Sequence, residues 1–172
     1  ASALNPDKMA WTNQQHMMRR SGADLAPPLA ERLAALGVDT GGLDLAGIAE
    51  SQKERAKTLL EMAENSRFFF ADPQAYDAKA AAKNLNAETA PVLERVRSAL
   101  VDLADWTAPG VHGRLEQIAA DLGVGLGKVA QPLRVALAGG AVSPPIDATA
   151  ALLGRETVLR RVDRAIRYAR GG

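Results

Sequence analysis

The chain has 172 residues, 47% of them hydrophobic and 24% charged, which allows one large domain or two small ones and excludes disorder and collagen-like repetition. Aromatics are only 4%, and Ala, Leu, Arg, Glu and Asp dominate, a composition that favours helix and argues against an all-β barrel. Lys and Arg number 21 against 20 acidic residues, a formal net charge of +1, so any nucleic-acid or membrane partner has to be read from local patches.

There is no cysteine. That excludes disulfides, thiol nucleophiles and thiolate zinc sites, and it fits the reducing cytoplasm expected as the location. No apolar run approaches the roughly 18 residues a membrane span needs, and no basic-then-apolar leader opens the sequence. The chain begins at Ala1 and enters a helix signal almost at once, as a piece of a longer protein would.

Asn5-Pro6-Asp7 is a helix start, with a capping oxygen, a proline suited to the first turn and an acid at the positive dipole end. The helix is expected to run to Arg20 and to stop at Ser21-Gly22. Pro27-Pro28 then opens a second helix with Leu29, Leu33 and Leu36 on one side, ending at Gly37. A turn over Val38 to Gly42 precedes a short helix over 44–50. Ser51 with Glu54 three positions on matches a capping box for a longer helix to Arg67, whose apolar stripe is Leu59, Leu60, Met62 and Ala63.

Ala71-Asp72-Pro73-Gln74 carries turn residues, which sets a boundary near residue 75. Residues 1–73 hold 8 basic and 10 acidic side chains and residues 74–172 hold 13 and 10, so the second half is the more basic one. Further helices are expected over 77–85, 89–103, 111–122, 127–138, 146–153 and 155–169, punctuated by Gly123, Gly139-Gly140 and Gly154. The expected fold is all-α, with two consecutive small helical bundle subdomains over 1–75 and 76–172.

No catalytic constellation emerges. Asp102 and Asp105 share a common surface spacing. His16 and His112 lie far apart without a second ligand, so surface or packing roles are expected of them. Ser143 lacks the Gly-x-Ser-x-Gly elbow, and the glycines of 123–127 follow no strand, which removes the hydrolase and dinucleotide-binding readings. Phe68 to Phe70, Trp11 and Trp106 are read as packing residues, although consecutive aromatics are also able to stack bases. The last helix is different in character. Arg155, Arg160, Arg161, Arg164, Arg167 and Arg170 meet only Glu156 and Asp163, a stripe fit either for phosphates or for the helix dipole and nearby acids.

Leu126-Gly-Lys-Val-Ala-Gln-Pro-Leu-Arg-Val-Ala-Leu137, then Gly139, Ser143-Pro144, Leu152-Leu153-Gly154 and the arginine-rich last helix together resemble the terminal anticodon-binding subdomain of bacterial glutamyl-tRNA synthetases, class I aminoacyl-tRNA synthetases. Two further pieces agree in order. Asp7-Lys8-Met9-Ala10-Trp11-Thr12-Asn13 resembles the start of the helix after that family's catalytic loop. Glu54-Arg55 to Leu59 with Arg67-Phe-Phe-Phe70 resembles its first anticodon-binding subdomain.

The resemblance implies a pair of helical subdomains that grip the anticodon stem-loop of tRNA(Glu). A missing N-terminal catalytic domain would attach glutamate with ATP and Mg, in a cytoplasmic parent enzyme that is a monomer with no membrane partner. The family's His-Ile-Gly-His-type and Lys-Met-Ser-Lys-Ser-type motifs are absent from these residues, so binding without catalysis, without a metal and without a cofactor of its own is expected.

By the same resemblance Arg55 falls at an anticodon-reading helix position where Arg goes with tRNA(Glu) rather than tRNA(Gln). Gln131 and Arg134 fall on the helix facing the anticodon, and Ser143, Pro144 and Ile146 on the loop and helix start where bases are splayed. Arg160 and Arg164 are assigned phosphate contacts. The chain departs from the family in having Ala138-Gly139 for the usual Thr-Gly and Pro145-Ile146 for the usual Gly-aliphatic pair. The competing reading is a helical protein-interaction module with no nucleic-acid role, whose exposed apolar faces dock a partner.

Overall fold

The computed structural model describes residues 14–171. The expectations placed on Asn5-Pro6-Asp7, on the segment over 7–13 and on Trp11 lie outside these residues. The chain divides into two compact units, one ending at Ala71 and the other beginning at Asp72, and every regular element among the described residues is helical.

The first unit holds a helical segment over 14–18, then α1 (Gly22–Ala35), α2 (Leu45–Gln52), α3 (Leu59–Ser66) and a 3-10 turn (Arg67–Phe69). Ser21 does not merely stop the preceding segment; it is the N-cap of α1, its hydroxyl accepting the Asp24 amide. The helix therefore starts five residues before Pro27, and both prolines sit inside it. The missing Pro amides would have bonded carbonyls only one turn from the start, where the ladder is shortest. Leu25, Leu29 and Leu33 face Ile48 and Met62, all five at 2% exposure or less.

The capping box expected at Ser51 does not form. Ser51 lies within α2 and its hydroxyl donates to the Ile48 carbonyl. Thr58 caps the next helix instead, accepting the Glu61 amide, while Glu61 reaches back to the Lys57 amide. The Thr-x-x-Glu signal thus lies seven residues further on, and the long helix expected from Ser51 to Arg67 is shortened to Leu59–Ser66 behind a turn. Leu60, assigned to the apolar stripe, is 51% exposed, since at helical spacing it lies away from the face that buries Met62, Ala63 and Ser66. Of the three phenylalanines only Phe69 is fully buried, stacked on Phe68 at 4.2 Å.

Gly22 shows how tightly α1 meets α2. Its amide donates to Glu50 Oε2 at 2.8 Å, and a Cβ at this position would stand 2.1 Å from the Ala46 carbonyl oxygen. Backbone cannot yield as a side-chain tip does, so Gly22→Ala is expected to lower stability by about 1–3 kcal/mol in urea unfolding. An unchanged midpoint would show that the helices separate freely.

The second unit packs α4 (Ala78–Asn84), α5 (Ala90–Val101), α6 (Ala108–Leu122), α7 (Gly127–Ala138), α8 (Ile146–Leu153) and α9 (Arg155–Ala169). Thr107 caps α6, so this helix starts three residues before the expected 111 and His112 sits inside it, with Nε2 2.9 Å from Glu116. Gly123 and Gly139 end α6 and α7 in the left-handed conformation, at φ 68° and 81°. Part of the core is built of small residues. Ala80, Ala81, Ala90, Ala136, Ala165 and Ala169 allow α4, α5, α7 and α9 to approach closely, with Leu85, Leu93 and Val135 filling the space between. Trp106 donates its indole N–H to the Ala150 carbonyl at 3.1 Å and lies under Arg155, a structural placement as expected. No described helix is long and apolar enough to cross a membrane.

Candidate nucleic-acid interface

Helix α7 buries Val129, Ala130, Leu133, Val135, Ala136 and Leu137. That leaves Gln131, Arg134 and Ala138 half-exposed at three-and-four spacing, a single narrow edge. Arg134 donates through Nη1 to Gln131 Oε1 and through Nε to Ser143 Oγ at 2.9 Å. With its carbonyl oxygen so engaged, Gln131 keeps its amide N–H groups for a ligand.

The chain of bonds continues past α7. Ser143 Oγ donates to the Pro144 carbonyl at 2.6 Å, and Thr149, fully buried in α8, donates to that same oxygen at 3.2 Å. The loop over 139–145 is therefore clamped from both sides. Ser143, Pro144 and Ile146 are all buried, so the side chains placed by resemblance among splayed bases face the protein, and their part is to hold the loop's shape. What the loop shows to solvent is Ala141, Pro145 and above all Val142, at 79% exposure. Neither Val142 nor Thr149 stood out in the sequence, since one hydrophobe in a loop and one Thr in a helix are ordinary there.

The arginine stripe of α9 is largely occupied within the second unit. Asp72 receives Arg160 through two bonds, at 3.0 and 2.8 Å, and Arg161 at 2.9 Å. Arg161 is 2% exposed and also donates to the Leu137 carbonyl at 2.6 Å, one of the terminal carbonyls of α7. Arg164 donates to the Pro73 and Gln74 carbonyls and lies 5.5 Å from the Tyr76 ring centre. The bonds from Arg160, reinforced by Arg161, hold the Asp72 carboxyl far below the ordinary carboxylate range despite its partial burial, while burial pulls the Arg161 guanidinium down. Arg160 and Arg164 thus pin the segment leading into α4. A phosphate at either would have to share a guanidinium already bonded.

In the first unit Arg55 is exposed and bonds no described residue through its side chain. It is not on a helix, as expected from the resemblance, but in the turn between α2 and α3, because α2 ends at Gln52 and Thr58 starts α3. Its backbone is held by the Arg55 amide bonding the Gln52 carbonyl at 2.9 Å. His16 is exposed, and no three His, Asp or Glu side chains among the described residues gather as metal ligands would.

Among the described residues the module is wholly helical and presents an arginine-ordered polar edge beside a clamped loop. The family model of the anticodon binding domain matches residues 22–166. The chain belongs to the anticodon binding domain family.

It is 52% identical, over 96% of its length, to glutamate–tRNA ligase 1 of Alkalilimnicola ehrlichii, and 48% identical, over 99%, to glutamate–tRNA ligase 2 of Halorhodospira halophila. The chain spans about 36% of the length of these relatives. It is also similar to the crystal structure of a glutamate tRNA ligase from Elizabethkingia meningosepticum in complex with its amino acid. That similarity has a TM-score of 0.86 and 29% identity, covering 94% of this chain and 32% of the other.

Proposed function

We propose that this chain recognises the anticodon arm of tRNA(Glu) as the C-terminal part of a glutamate–tRNA ligase. The observation that carries the reading is the edge of α7, where Arg134 orders Gln131 and ties it to the clamped loop at Ser143. Unstacked RNA bases are read by such ordered donors and by apolar surfaces on which they rest, here Val142 and Pro145. The docking alternative has less to stand on. The exposed large hydrophobics, among them Met18, Leu60, Val101, Val142 and Tyr168, are spread over both units and over different elements.

In this reading the first unit contributes Arg55 and the second the α7 edge and its loop. The attachment of glutamate, with its ATP and Mg, falls to a catalytic domain outside these residues, in a monomeric cytoplasmic enzyme. An arginine fork offers two donors to the acceptor edge of a pyrimidine, and its position in an exposed turn leaves it free to reach a base. Arg55→Gln in the complete ligase is therefore expected to narrow the ratio of charging between tRNA(Glu) and tRNA(Gln) by about tenfold, within the roughly 1–3 kcal/mol a bidentate base contact supplies. An unchanged ratio removes Arg55 from specificity.

The direct test is binding of the chain, at two salt concentrations, to the anticodon stem-loop of tRNA(Glu) and to one with the third anticodon base changed to a purine. Salt-sensitive binding that prefers the cognate loop is the expected result. Salt-insensitive or absent binding to both loops defeats the reading.

A further inference from the structure

We infer that the groove between α4 and the start of α7 carries a length of RNA backbone, its phosphates lying against Lys79, Lys83 and Lys128. The groove encloses about 870 Å³ within the second unit, walled by α4, the turn into α5, the end of α6 and the first turns of α7. Lys79 and Lys83 are four residues apart on α4, which sets their Cβ atoms about 6 Å from each other on one face. Lys128 faces the same space from α7. All three are exposed, and none makes an ion pair with a described residue.

Two acids share the lining, Asp77 and Glu88. Asp77 is committed to the backbone, its carboxylate capping α4 at the Ala80 amide, 2.9 Å away. The walls are rigid for a similar reason. Asn86 accepts the Glu88 and Thr89 amides and donates to the Ala82 and Lys83 carbonyls, so the turn beside Lys83 has one shape. Three unpaired ammonium groups on a stiff wall are compact point charges suited to phosphate, and apolar floor residues such as Val92 and Pro132 suit ribose and base faces.

The occupant follows from continuity. Gln131 also lines this groove, so the edge proposed to read bases opens directly onto the lysine rail, and a strand bound at Gln131 has the groove as its path. The inference rests on the RNA-binding reading above and extends it from the bases to the phosphates beside them. None of these lysines stood out in the sequence, because Lys79 and Lys83 precede Lys128 by more than forty residues and only the packing of α4 beside α7 joins them.

The test is the slope of log K against log salt for the 172-residue chain and the cognate stem-loop. Each lost phosphate contact on single-stranded RNA lowers the slope by about 0.7, so K79A/K83A/K128A is expected to lower it by about 2 while keeping the preference for the cognate loop over the purine-substituted one. The triple Lys→Arg variant is expected to keep the wild-type slope, which guards against a folding artefact. R95A/R114A/R170A removes the same charge from arginines paired with Asp121, Asp102 and Glu94, and should leave the slope nearly intact. Equal slopes for the wild type and the folded lysine variant, or an equal loss in the arginine control, overturn the inference and leave the RNA reading standing. Absence of salt-sensitive binding by the wild type overturns both.

Discussion

Replacing Asp72 with alanine is expected to destabilise the second unit by about 3 kcal/mol, at the low end of what breaking a buried ion pair costs because Asp72 itself keeps 32% side-chain exposure. The loss falls on Arg161. Its guanidinium is 2% exposed, and without Asp72 it keeps only the Leu137 carbonyl as a named acceptor, with Arg160 and Arg164 on the same helix repelling it. For a unit of about this size the melting temperature should fall by roughly ten degrees or more.

The double variant D72A/R161M should recover part of that loss, since an apolar side chain of similar length removes the stranded charge. A double variant as unstable as D72A would show that the stranded charge is not the source of the loss.

The same pair fixes the acid limb of stability. Asp72 has its folded pKa lowered, so its contribution is complete above the ordinary carboxylate value of about 4 and drains away as pH falls through that region and below. D72A should therefore unfold with a flatter dependence on pH below about 5 than the wild type. Identical acid limbs in the two proteins would mean that Asp72 is no better bonded folded than unfolded.

The second large effect is expected at Arg134. Arg134→Ala releases the Gln131 amide and the Ser143 hydroxyl together, and bonds to a charged donor are worth about 1.5–3 kcal/mol each. Cognate stem-loop affinity should drop by about tenfold to a hundredfold, and the preference over the purine-substituted loop should largely vanish. Arg134→Lys separates geometry from charge. A lysine keeps the cation but has one donor point in place of the fork that spans Gln131 and Ser143, so the preference should still be lost while the salt slope stays close to wild type. A lysine variant that retains the preference would assign Arg134 a charge role alone.

Helix starts and stops were legible wherever a local signal had no rival. Gly123, Gly139 and Gly154 delimit α6, α7, α8 and α9 as their spacing implies, and the spans over 127–138, 146–153 and 155–169 agree residue for residue. Legibility failed at two places with two candidate signals. The start expected for α1 at Pro27-Pro28 gives way to Ser21, and the start expected at Ser51 gives way to Thr58, the cap of α3. A capping hydroxyl contributes about 1 kcal/mol, too little to choose between such neighbours before the apolar faces of the helices are matched. That choice carries Arg55 from a helix into a turn.

For the candidate site the division runs differently. Gln131 and Arg134 were placed on one helix by the resemblance alone, and the arginines of α9 were readable as a stripe. Their commitments were not, because Arg160, Arg161 and Arg164 are satisfied by Asp72, Pro73 and Gln74, nearly ninety positions away along the chain. The burial of Ser143 and Ile146, the exposure of Val142 and the meeting of Lys79 and Lys83 with Lys128 have the same origin.

By itself, then, the sequence determined an all-helical protein and most of its helix borders in the second unit. Those depend on propensity, capping and periodicity within a few residues. Tertiary structure alone decided which cations are spent inside the fold and which still face solvent, because pairing a charge depends on where distant segments meet, and that is settled by burial of apolar faces to which the charges themselves contribute little.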